Sequence, residues 1–185
     1  MRMYDLRISL MDSGPEIWRR VRVSGDIRLK KLHWIIQAVM GWTNSHLHQF
    51  VVGHVCYSDP SFELERHGDE IIEDESRVPL RKVLPFPNSV LVYEYDFGDS
   101  WHHLVRVECV SARGPNEPTH PVCTGGQRAC PPEDCGGLHG FYGQFLPAML
   151  DPAHEEHQSM RQWFGGDFDP ETFDVNAVNA ALKRL

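Results

Sequence analysis

The sequence predicts an α+β fold in a single domain, residues 1–185, with a mainly antiparallel sheet, one helix against a face of it and further helices at the C-terminal end. Three observations carry this. Apolar and polar residues alternate through residues 4–23, the period lengthens to that of a helix at Ile27, and alternation returns at His46. A run of strands followed by a run of helices, rather than a strict βα repeat, favours antiparallel pairing.

Each element follows in order. Tyr4, Leu6, Ile8 and Leu10 alternate with polar neighbours, as do Ile17, Arg19, Val21 and Val23, and Asp12, Ser13, Gly14 and Pro15 make the turn between them, so a hairpin opens the chain. Leu29, Leu32, Ile36, Val39 and Met40 then fall at helical spacing, with Asp26 placed as N-cap and Gly41 as left-handed stop. One strand is expected over His46–Val55, with His46, His48, Phe50, Val52 and His54 on one face. Residues 58–75 hold eight acids and no long apolar period; they read as an acidic excursion with a strand near 62–65 and little chemistry. Two β-rich runs, 90–97 and 101–110, flank Gly98, Asp99 and Ser100 as a second hairpin, with Trp101, His103, Val105, Val107 and Cys109 sharing a face. Residues 111–137 are rich in Pro, Gly and Cys without a period and read as a long ordered loop, a length that usually serves a function. Leu138, Phe141, Phe145 and Met149 mark a helix, a second is expected from Asp151 and Pro152 to Gly165, and Asp174 caps a last one through Leu182.

Composition narrows the function classes. With 41% hydrophobic residues, five Trp and nine Phe, the chain has ample apolar surface to bury and is not intrinsically disordered. The longest uncharged run, residues 32–58, is broken by Gly41, Asn44, His46, His48 and His54, so no spanning helix is expected. The first sixteen residues carry Asp5, Asp12 and Glu16 and lack the basic-then-apolar order of a secretory signal, which makes the cytoplasm the expected compartment. Five cysteines at low density argue for thiols or a metal site rather than a disulfide framework. The formal charge of −8 disfavours nucleic acid; the local excess of basic residues in 1–31, with Arg19, Arg20, Arg22, Arg28, Lys30 and Lys31, is most simply a solvated strand and helical turn.

Two constellations could carry chemistry. Cys123, Cys130 and Cys135 lie within thirteen residues, but their gaps of six and four intervening residues match a structural zinc site weakly and require a fourth ligand from elsewhere; small buried fillers are the simpler explanation. His46 and His48 alternate on the expected strand, where like-facing residues lie about 6 to 7 Å apart, and with Asp99 and His103 of the later hairpin they could converge on a divalent metal such as zinc. Against this, His103 shares its face with Trp101, Val105 and Val107, the setting of a hydrogen-bonded core histidine. Neither a G-x-S-x-G elbow nor a Gly-rich phosphate cradle is present, which disfavours nucleophilic hydrolases of that kind and NTP or NAD enzymes.

Several strings together resemble the plasmid pRiA4b ORF-3-like family over nearly the whole chain: Ile17 to Arg20; Ser45 to His48 with Phe50; Tyr95 to Asp99 with Trp101 and His103; Cys123 and Gly126 with Pro131 to Asp134, Gly136 and Gly137; and Trp163, Gly165, Asp169, Pro170, Phe173 and Asp174. The sequence has His102 where relatives commonly carry Glu, and Cys135 where an apolar residue is frequent. The resemblance implies an α/β roll, a sheet curled around the first helix, and an association with plasmids or transposase neighbours, but no established activity. Some relatives bear a resolvase label, yet the chain has neither a serine-recombinase pattern nor the basic surface that such an enzyme needs.

Two functional expectations follow. The first is a mobile-element accessory or binding module with a groove between the 95–103 hairpin and the 123–137 loop, formed by Tyr95, Asp96, Asp99, Trp101, His103, Glu133 and Asp134 with His48 beside them, and holding a small ligand or protein partner. The second is a metal-assisted hydrolase using His46, His48, Asp99 and His103, with resolvase-like DNA recombination as a lesser alternative.

Overall fold

A computed structural model describes residues 1–65, 68–69 and 71–185. Strands β1 (Arg2–Leu10) and β2 (Trp18–Ser24) form the opening hairpin, followed by helix α1 (Leu29–Met40), then β3 (His48–Val52), β4 (Val55–Ser58), β5 (Ile71–Asp74), a short helix α2 (Leu80–Val83), β6 (Val90–Tyr95), β7 (Trp101–Ala112) and β8 (Val122–Gln127). The strands make one open sheet in the order β5-β4-β3-β6-β7-β1-β2-β8, antiparallel at every pairing except β4 with β5. The architecture is α+β.

β1 is central because both of its edges are used: it pairs with β2 (Leu6 opposite Val21) and with β7 (Ile8 opposite Val105). Its period of two sends Tyr4, Leu6, Ile8 and Leu10 to one face, where they meet Val21, Val105, Val107, Leu91 and Tyr93 and the buried stripe of α1, Leu29, Leu32, Ile35, Ile36 and Val39. Gly41, at φ 93°, ends α1 in the left-handed conformation that the sequence indicates. Asp26 does not cap it. The N-cap position is Arg28, the Leu29 N–H donates to the Val78 carbonyl instead, and Asp26 pairs with Arg81 at 2.6 Å.

Other expectations are corrected in the same way, by pairing partners distant in the chain. The strand over 46–55 is two strands folded at Gly53 and His54, and His46 precedes the first, so His46 and His48 do not alternate on one strand. No strand covers 62–65; Pro60–Phe62 is a 3₁₀ turn and the strand of this excursion is Ile71–Asp74, while residues 66, 67 and 70 lie outside the described ones. The long loop contains β8, which borders β2. Cys109 leaves the apolar face because a bulge opposite Asp5 and Leu6 shifts the register of β7.

The C-terminal helices run as α3 (Gly137–Gly140), a π-helical turn (Phe141–Phe145) and α4 (Leu146–Leu150), then α5 (His157–Phe164) and α6 (Val175–Leu182). The helix expected from Asp151 thus begins six residues later, whereas Asp174 caps α6 as expected, accepting from the Asn176 and Ala177 N–H groups. Arg19 joins the layers: it is buried, donates to the carbonyls of Val39, Trp18 and Gln127, and lies 4.6 Å over the Phe173 ring. Gly126 permits this, since a Cβ there would come within 2.6 Å of Phe173 and 2.9 Å of Arg19.

The opposite face of the hairpin carries ion pairs. Arg20 pairs bidentately with Glu108, and Arg22 holds Asp5 and Glu117. Lys30 holds Asp59. With Arg19 buried and Arg20, Arg22 and Lys30 engaged by carboxylates, four of the six cations between Arg19 and Lys31 already have partners within the protein. Filter binding of duplex DNA at ~0.15 M salt is therefore expected to show no retention; tight binding abolished by neutralising Arg20 and Arg22 would contradict it.

Candidate functional site

The β6–β7 hairpin ends in a tip built by Asp96. Its φ of 58° reverses the chain, its Oδ1 accepts from the N–H groups of Gly98 (3.0 Å) and Asp99 (3.4 Å), and its carbonyl accepts from Ser100 at 2.6 Å. Asp96 N–H donates to the Leu47 carbonyl, which brings the segment before β3 against this tip.

The Cys-rich loop docks on the same place. Trp42, just past the stop of α1, donates through its indole N–H to the Pro131 carbonyl at 2.9 Å. Glu133 accepts from the Thr43 N–H (3.0 Å), the Thr43 hydroxyl (2.6 Å) and the Tyr95 hydroxyl, while Tyr95 in turn accepts from the N–H groups of Ser45 and His46. Burial pushes the Glu133 carboxyl up, but the Thr43 and Tyr95 donors outweigh it and hold it below the usual carboxylate range. Tyr95 is raised by burial and by the facing carboxylate. At the far end the Gly136 N–H reaches Asp99 Oδ2 at 3.2 Å, and a Cβ on Gly137 would lie 2.5 Å from the Asp99 carbonyl oxygen. Only glycine permits that approach.

Tyr95, Asp96, Asp99 and Glu133 are thereby gathered along one hydrogen-bonded seam, and Asp134, with a side chain 66% exposed, joins it through His46 at 3.0 Å. Trp101 and His103 lie beneath as core: they are 1% and 0% exposed, and Trp42 stacks over Tyr95 (ring centroids 5.0 Å) with its edge contact to His103 at 5.2 Å. His103 donates through Nδ1 to the Trp101 carbonyl, and burial pushes it down to about 3, so it is a neutral imidazole. Open space lies on both flanks of the seam. A cleft of about 710 Å³ runs between Trp42, Pro131 and Glu133 on one side and Phe164, Phe168 and Asp169 on the other. A smaller one of about 190 Å³ is lined by Asp134, Cys135, Gln144, Phe145, Met160 and Trp163.

The histidines expected to share a metal are separated. His48 is buried, 2.9 Å from Glu75 through Nε2, and its ring stacks on His33 at 3.5 Å. His33 bonds Tyr93 and Asn44, and burial, with His48 beside it, pushes it down to about 3. The only set of three or more metal-type side chains that meets among the described residues is His46, Asp96 and Asp134, with ligand atoms within 4.8 Å of one another. His48, His103 and Asp99 are not in it, and neither are Cys123, Cys130 and Cys135. All three thiols are raised by burial, Cys130 and Cys135 to about 12, so they are protonated, and all are free. Sequence reasoning missed Trp42, Thr43, His33 and Glu75. Glu75 sits at the end of an acidic run and His33 on an amphipathic helix, where neither stands out; Trp42 directly after Gly41 was the one visible signal.

The sequence profile of the family described as "Plasmid pRiA4b ORF-3-like protein" matches residues 2–177. The chain belongs to this family. Its similarity to the uncharacterized protein y4hQ of Sinorhizobium fredii (strain NBRC 101917 / NGR234) is 38% identity over 182 residues, 97% of this chain and 90% of that protein. Among solved structures, the protein of unknown function MM3350 from Methanosarcina mazei Go1 is similar with a TM-score of 0.82 and 33% identity, covering 95% of this chain and 96% of that one. Within the matched span, Arg19 on the Gln127 carbonyl, Trp42 on the Pro131 carbonyl and Tyr95 on Glu133 tie the sheet, the tip and the loop together.

Proposed function

We propose that this member of the pRiA4b ORF-3-like family is a non-catalytic binding module, and that its ligand lies along the outer flank of the 123–137 loop rather than between loop and hairpin. The observation that supports this reading is the cleft of about 710 Å³ beside Pro131 and Pro132. Its apolar walls are Trp42, Pro131, Phe164 and Phe168, and carboxylates of Glu133, Asp167 and Asp169 stand among them. An apolar body carrying a positive group fits this lining; a nucleotide, carrying several negative charges, does not. The closed seam behind the loop holds the wall rigid, so little ordering accompanies binding. The plasmid in the family description supports an accessory role in a mobile element, with the partner a basic, apolar segment of another protein or a small amine.

Tryptamine and indole-3-acetate carry the same ring with opposite charge. In ¹H–¹⁵N spectra of the labelled protein, tryptamine is expected to shift the Trp42 indole signal and the amides of Ala129, Cys130 and Phe168, and indole-3-acetate to bind at least several-fold more weakly. Equal response to both, or shifts elsewhere, would overturn the reading.

A further inference from the structure

We infer that His46, Asp96 and Asp134 form a binding site for one first-row divalent transition ion, zinc in the first place, at the hairpin end of the seam. The site is separate from the cleft beside Pro131, since none of the three residues lines that space.

Spacing is the first argument. Two ligands each about 2.1 Å from one ion, at angles between a right angle and the tetrahedral one, lie about 3.0 to 3.4 Å apart. His46 Nε2 stands 3.0 Å from Asp134 Oδ1 and 3.6 Å from Asp96 Oδ2. All three ligand atoms lie within 4.8 Å of one another, and Asp134, with a side chain 66% exposed, is the one with room to turn toward the other two.

Preorganisation is the second. Asp96 has a side chain only 10% exposed, and its Oδ1 is held by the Gly98 and Asp99 N–H groups, leaving Oδ2 turned to His46. His46 is fixed from the other side by its ring edge against Tyr95 (5.8 Å) and its backbone N–H on the Tyr95 hydroxyl. Its Nε2 is buried and, although Asp134 Oδ1 stands 3.0 Å away, makes no well-aligned hydrogen bond, so it is an atom that metal ligation would satisfy.

Chemistry is the third. One imidazole with two carboxylates suits zinc, cobalt or manganese better than magnesium or calcium, which prefer all-oxygen shells, and the two carboxylates offset the charge of the ion. Three protein ligands leave a fourth position for water or a ligand atom, and one of the three, Asp134, also lines the smaller cleft with Phe145, Met160 and Trp163.

The competing explanation is that His46 only pairs with the two carboxylates and no ion binds there. Calorimetric titration of EDTA-treated protein with zinc chloride at pH 7.5, paired with cobalt absorption spectra, separates the two. The expected result is one ion per chain, with cobalt d–d bands but no sulfur-to-cobalt charge transfer in the near ultraviolet. Asp134→Asn, at a side chain 66% exposed and so harmless to folding, is expected to weaken binding at least ~10-fold, and His46→Gln to remove it. Absence of zinc binding, undiminished binding in Asp134→Asn, or a thiolate charge-transfer band would each overturn the proposal.

Discussion

Ile36→Ala is expected to lower the unfolding free energy by about 2 to 5 kcal/mol. Ile36 is fully buried on the inner stripe of α1, in the cluster that includes Leu6, Ile8, Val105 and Tyr93. Truncation removes apolar contacts and leaves a cavity that the sheet, hydrogen-bonded along both edges of β1, has little freedom to fill. Urea unfolding followed by tryptophan fluorescence measures the change; a midpoint equal to that of the unmodified chain would show that α1 does not sit where the structure has it.

Stability is expected to fall steeply as the pH drops from about 6.5 toward about 3. His33 and His103 are both pushed down to about 3, burial being the larger cause in each, with His48 adding to it at His33. In the unfolded chain the same imidazoles take up a proton near 6.5. Between those values the unfolded state holds more protons, so stability increases with pH there and is lost as the pH falls. Well inside the window each histidine contributes a slope of about 1.4 kcal/mol per pH unit. Carboxylates held low by cations or hydroxyls, such as Glu16 and Glu108, act in the same direction but only below their unfolded values near 4.5. Urea midpoints at pH 7, 6 and 5 therefore isolate the histidines. The slope between pH 6 and 5 is expected to halve in His103→Gln, and a flat profile in the parent protein would contradict the burial of both rings.

Much of the seam was legible as a neighbourhood and not as a geometry. The tip residues Asp96 and Asp99 and the loop residues Glu133 and Asp134 stand out because Asp and Gly cluster between β-rich runs, and a long Pro-rich loop has to be held by something. Their partners were not legible. Thr43 reaches Glu133 across ninety residues, and Trp42 reaches Pro131 across eighty-nine. Alternation assigned His48 and His103 to faces, but a face does not reveal whether it looks into a site or into a core. Here His103 looks under Trp42 and His48 under the Glu75 turn.

What the sequence by itself determined is the class of the fold and most of its elements, the two opening strands, α1 with its stop at Gly41, the hairpin of the 90–97 and 101–110 runs and the cap at Asp174, because each rests on a local period or on a residue whose own backbone preference suffices. The tertiary structure alone decided the break at Gly53, the parallel strand at Ile71–Asp74, the pairing of β8 on β2 and the meeting of His46 with Asp96 and Asp134. Those features depend on which edge or tip is left open when distant segments collapse on the same core, and the energy that selects among them is spread over contacts between residues far apart in the chain, where no local pattern records it.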